Sequence, residues 1–145
     1  MLMRIFRADE SAPAAEGDRR IPVLDAGTMG MSMIPFMRAH DRIVIVDVVD
    51  MGEDSGVAPG TVYVLTPEDM AEHTVMHTLH DLRVIDVVNN ARLAGIDCDI
   101  RCVCASVRKE DIDPQDFTID LTPPLKAAVP VAVGALLETL GIDTK

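Results

Sequence analysis

Three groups of residues in this chain could do chemistry: an aspartate set into a hydrophobic strand, a run of histidines and a close set of cysteines. The aspartate is Asp47, in the stretch DRIVIVDVVDMG at residues 41–52. Residues 43–46 are an apolar run of β-branched side chains, which reads as a buried strand. An ionised carboxylate is costly to bury without a partner. Ligand sites in α/β folds gather at the carboxyl ends of strands, where such a group can meet a metal or a substrate. Asp25 ends the short apolar run IPVLD at residues 21–25. Both aspartates are therefore placed at strand ends, facing one crevice.

His73, His77 and His80 fall at spacings of four and three. On one continuous helix they would share a face, and that face could hold a divalent metal. Thr78-Leu79-His80-Asp81, however, reads as a helix beginning here. His80 then enters the helix beside an acid, and His73 and His77 are solvent-side residues of the preceding loop. Asp47 and His80 together offer a carboxylate and an imidazole, which suit nickel, zinc or copper. Two ligands are not a site. Asp25 is the nearest third candidate, while Asp50 reads as a loop surface charge.

Cys98, Cys102 and Cys104 share one parity, so a strand through them puts all three thiols on one face. The plain reading is a stripe of small hydrophobic side chains on a packed face. A soft-metal site is the alternative, but the stretch lacks the turn that zinc knuckles use. An odd count without a secretory signal argues against a disulfide framework. No G-x-S-x-G, Walker A or H-E-x-x-H motif occurs. The cysteines have no electropositive setting that would make one a nucleophile.

The elements that must position these residues alternate between strand and helix. Residues 21–25 read as a strand, AGTMG as a glycine-rich turn, and residues 31–40 as a short helix that tolerates Pro35 near its first turn. Residues 42–49 form the opening long strand, apolar on both parities as in a strand covered by helices on both faces. Residues 61–65 are a further strand. Thr66-Pro67-Glu68-Asp69 is a helix start, with an N-cap, Pro at the first position and acids at the positive end of the dipole. A second helix lies within residues 78–94, stopped by Gly95. Residues 99–107 are a strand. Thr122-Pro123-Pro124 opens a last helix to about Leu140, stopped by Gly141. The expected class is α/β: a single domain over residues 1–145, with a mainly parallel twisted sheet and helices on both faces.

Composition bounds the function. The chain has 145 residues, 48% of them hydrophobic but only 3% aromatic, so Val, Ile, Leu, Met and Ala must build the core. The net charge is −11 and no Lys/Arg cluster offers a basic face, which argues against nucleic-acid binding. No apolar run reaches the roughly 18–20 residues that span a bilayer, and Arg4, Arg7, Asp9 and Glu10 interrupt any signal-peptide core. No membrane association and a cytoplasmic location are the expectations.

Taken in order, DAGTMG at residues 25–30, IVIVDVVDMG at 43–52, PGTVYVL at 59–65 and TLHDLRVIDVV at 78–88 resemble the hydrogenase maturation endopeptidases. Each piece alone is weak; their order and spacing together are specific, and they run from about residue 21 onward. The resemblance implies a protease that removes the C-terminal extension of a nickel–iron hydrogenase large-subunit precursor after nickel insertion. It implies that Asp47 and His80 contact the metal, and that they sense nickel already held by the substrate, with no permanent cofactor. The turn of Asp25, Gly27 and Thr28 would shape the cleft for the substrate tail, with Ala26 where the family usually has Gly. The catalytic group is not assigned.

One departure is large. Family chains open with a strand and a G-N-x-L-x-x-D-[DE]-G-like loop that supplies a first acidic ligand. Here MLMRIFRADES matches only the later part of the helix that follows, so the chain begins about two dozen residues late by element lengths. Glu10 and Glu16 do not sit in that motif and take no ligand role. The expectation is an N-terminally incomplete chain, inactive or poorly folded as written and rescued by upstream residues. A competing reading is a non-catalytic relative that binds the nickel-loaded subunit or its chaperones. An unrelated metal-binding protein using His73, His77 and His80 is a third.

Overall fold

The computed structural model describes residues 21–26, 30–52, 55–72, 84–108 and 120–142. Among the described residues three strands form one sheet: β1 (Arg42–Asp50), β2 (Val62–Leu65) and β3 (Asp99–Val107), in the order β1-β3-β2. β3 lies in the middle, parallel to β1 and antiparallel to β2. The α/β class expected from the sequence holds; of the two described pairings in the sheet, expected to be mainly parallel, one is parallel and one antiparallel. β2 is reversed because only a short connection separates it from β1, and the helices that follow it return the chain to β3.

A 3-10 turn at Gly30–Met33 leads into α1 (Ile34–Ala39), with Pro35 in its first turn, where no intrahelical N–H bond is lost. Residues 21–26 form no strand or helix, which corrects the strand expected over 21–25. Ile21, Val23 and Leu24 are exposed there. α2 (Pro67–Glu72) begins as the sequence predicts. The Asp69 amide donates to Thr66 Oγ1 at 3.1 Å and the Thr66 amide donates to the Asp69 carboxylate at 2.8 Å. These reciprocal bonds make a capping box and satisfy two donors at the helix start.

α3 (Val84–Leu93) ends at Gly95, whose φ is 73°. The Gly95 amide donates to Arg92 O and the Ile96 amide to Ala91 O, the paired bonds of a Schellman stop. α4 (Pro123–Thr139) ends the same way at Gly141. Its last carbonyl, on Thr139, also accepts from the Arg42 guanidinium, which is paired with Asp99 at 2.8 Å. That exposed pair adds little stability by itself; its value is to tie the end of α4 to the starts of β1 and β3.

Helices cover both faces of β3. On one face Ile100, Cys102 and Cys104 pack with Val49 of β1, Met37 of α1, and Val87, Val88 and Ala91 of α3. Val103 points the other way, where α4 crosses β3 and β2, and is fully enclosed. β1 is less covered than its apolar sequence predicts. Val49 is its one buried residue, and Val46 is 59% exposed, because α4 lies over β3 and β2 rather than over β1.

Candidate functional site

Asp47 lies on β1, opposite Cys104 in the parallel register and three residues before the strand ends at Asp50. It is thus inside the strand rather than at its tip, as the sequence had placed it. Its side chain is half-buried, and Oδ1 accepts the Val48 amide at 2.8 Å. A carboxylate held by a backbone donor and still touching water escapes most of the cost of burial. The hydrophobic strand therefore tolerates Asp47 because the charge lies at a partly open position of the sheet, beside small neighbours.

Those neighbours are Cys102 and Cys104, both buried. Burial pushes the Cys104 thiol up to about 12, and the negative Asp47 adds to the shift. Burial does the same for Cys102, also to about 12, with Cys104 and Asp47 contributing. Cys98 is raised as well, by burial first and then by Asp99, Asp41 and Asp97. A thiol that keeps its proton at neutral pH is a poor nucleophile. The stripe expected from parity is a packed stripe of neutral side chains. Among the described residues, no three His, Cys, Asp or Glu side chains are gathered to hold a metal ion.

The raised thiols have a consequence for alkaline stability. The folded state holds these two protons more tightly than the unfolded chain, whose thiols titrate near 9. Their contribution is complete below that pH and is lost as pH climbs toward 12. The slope approaches about 1.4 kcal/mol per pH unit for each thiol. Urea midpoints measured from pH 8 to 11 should fall steeply in the native chain and less steeply in a Cys102→Ala, Cys104→Ala variant. Equal slopes would show that the two thiols are not responsible. A thiol reagent at pH 8 should label Cys98 well before the other two.

Asp25 is exposed, in the segment 21–26 that belongs to no helix or strand. Gly27 and Thr28, and His73, His77 and His80, lie outside the described residues. A hollow of about 260 Å³, bordered by Thr66, Glu68, Arg92, Asp97, Asp99 and Arg101, opens at the other end of β3. Its arginines are engaged, Arg92 with Glu68 at 2.6 Å and Arg101 with Asp99 at 3.0 Å. The Arg92 guanidinium beside it lowers the Glu68 carboxyl below its ordinary range.

Ser106 is a residue that the sequence reading passed over. It is the one buried polar side chain among the described residues. The signal was available: a lone hydroxyl in the apolar strand RCVCASV must find partners. It finds them in the loop between β1 and β2.

The family model for hydrogenase maturation proteases (HycI) matches residues 5–139. The hydrogenase expression/formation protein HupD of Rhizobium leguminosarum bv. viciae is 26% identical over 137 residues, covering 88% of this chain and 60% of that protein. The hydrogenase 2 maturation protease of Escherichia coli (strain K12) is 29% identical over 121 residues, covering 83% of this chain and 70% of the relative. This chain thus spans well short of the full length of the relatives it matches. Among solved structures, the hydrogenase maturating endopeptidase HybD from E. coli superposes with a TM-score of 0.65 at 27% identity, over 85% of this chain and 72% of that one. The solution structure of an endopeptidase from E. coli, at 23% identity and a TM-score of 0.61, shares the fold. A model match over nearly the whole chain agrees with the four motifs and with the fold that carries Asp47 on its parallel strand. The chain belongs to the hydrogenase maturation protease family.

Proposed function

We propose that this chain is an endopeptidase that removes the C-terminal extension of a nickel–iron hydrogenase large-subunit precursor once nickel is in place, and that it acts in the cytoplasm. Asp47 carries the reading. It is an aspartate on the parallel strand of a family fold, half-buried, with one oxygen held by the Val48 amide. In this reading Asp47 and His80 meet the nickel that the precursor already holds, so the metal is part of the substrate. The turn of Asp25, Gly27 and Thr28 borders the cleft that receives the tail. The net charge of −11 suits a substrate that presents a cation.

The test is to incubate the chain, both as written and extended through the upstream coding sequence, with nickel-loaded and nickel-free precursor and follow the mass of the large subunit. The expected result is loss of a short C-terminal peptide from the loaded form alone. Cleavage of neither form overturns the activity, and equal cleavage of both overturns the sensing of nickel.

A further inference from the structure

We propose that Ser106 is a positioning residue for substrate binding, and that the turn it holds, residues 58–61, is a wall of the cleft for an extended, uncharged stretch of the substrate tail. The inference rests on the endopeptidase reading above.

Ala58-Pro59-Gly60-Thr61 is a tight turn with Pro and a positive-φ Gly at its two central positions; Gly60 has φ +84°. That order of residues is the signature of a type II turn. Ser106 binds the turn four times. Its hydroxyl donates to Ala58 O at 2.7 Å and accepts the Thr61 amide at 3.0 Å. Its own amide donates to Thr61 O at 2.8 Å, and its carbonyl accepts the Gly60 amide at 2.7 Å. Inside the turn, the Thr61 hydroxyl also donates to Ala58 O, at 2.7 Å. The other side of the turn is pressed on the start of α4, where a Cβ on Gly60 would come within 2.6 Å of Pro124 O. The turn is thus held between the central strand and a helix terminus.

Its location gives it a use. Ser106 pairs with Val49, and two residues back Cys104 pairs with Asp47. Two residues along the sheet and two strand widths across place the turn about 12 Å from Asp47. An extended peptide crosses that distance in roughly four residues. A tail anchored at Asp47 by its metal and running across the sheet toward β2 would meet the turn about four residues on. Ala58 is exposed and Pro59 half-exposed, and neither side chain is charged or offers a hydrogen bond. Such a surface accepts an apolar or small segment and rejects a charged one.

The test uses precursor cleavage by the full chain. A wall that holds ground state and transition state alike affects KM and spares kcat. Ser106→Ala should raise KM about tenfold with kcat within about twofold, and should speed hydrogen exchange at the Thr61 amide. Ala58→Glu changes an exposed side chain, leaves the Ser106 bonds in place, and should raise KM to a similar extent. Ser106→Ala is the variant at risk of misfolding, so Ala58→Glu decides the matter if it does. A native chain that cuts while Ala58→Glu keeps the native KM overturns the inference alone. A native chain that cuts no precursor overturns the endopeptidase reading, and the inference with it.

Discussion

Asp47→Asn should lower kcat/KM for nickel-loaded precursor by about a hundredfold to a thousandfold, since metal–ligand charge stabilisation is worth several kcal/mol. The substitution is nearly isosteric and keeps an oxygen that can accept the Val48 amide, now at 2.8 Å from Oδ1. The strand should therefore survive, and thermal unfolding should shift little. What is lost is the negative charge offered to the metal. The variant should also lose its preference for loaded over nickel-free precursor, which a simple folding defect would not cause. His80→Ala should act in the same direction. If Asp47→Asn cuts loaded precursor at the native rate, the aspartate plays no part in recognising nickel. Its place on β1 is then structural.

The second large effect is on stability. Gly60→Ala should destabilise the fold by about 2–4 kcal/mol, combining the cost of a positive φ for an L-residue with a collision against fixed backbone. The added Cβ would lie 2.6 Å from Pro124 O and 3.0 Å from Pro124 C. Neither atom belongs to a flexible side chain, so either the turn or the start of α4 must move. Gly56 is the internal control. It also has a positive φ, +67°, but a Cβ there meets nothing within 4 Å. Gly56→Ala should cost only the conformational part, about 1–2 kcal/mol. Chemical denaturation of both variants separates the two contributions. Equal losses would mean that the turn and α4 are not wedged together.

Much of the fold was legible because its signals are local. The strand over 99–107 is read with the same limits as β3, and the run of β-branched residues after Arg42 gives β1. Thr66-Pro67 marks the start of α2, and Gly95 and Gly141 mark two helix stops with positive φ. The reading failed where pairing decides the outcome. IPVLD has the composition of a strand, yet the segment has no ladder among the described residues, and composition cannot supply a partner. The apolar run of β1 implied cover on both faces, but which strands α4 crosses is a tertiary matter, and Val46 is left exposed.

The site was read unevenly for a similar reason. Asp47 stands out because a charge interrupts a hydrophobic run. Its position three residues inside the strand, and its Cys104 partner, come only from register. The thiols read as inert core residues, and burial makes them so. Ser106 was missed because a single hydroxyl in a strand carries no sequence signal of what it holds. Its partners lie 45 and 48 residues away.

The strand order β1-β3-β2 has a consequence for how the chain is made. Among the described residues β1 and β2 are not paired with each other, and each pairs with β3, which is the last of the three to be synthesised. At ordinary ribosomal speeds the interval between residue 50 and residue 107 is about 3–11 s. Through that time neither β1 nor β2 has the neighbour it pairs with among the described strands, and unpaired strands are the usual seeds of misassociation. Slower initiation or a lower growth temperature, which keeps nascent chains apart or weakens their association, should therefore raise the soluble yield of this protein more than changes to its surface would.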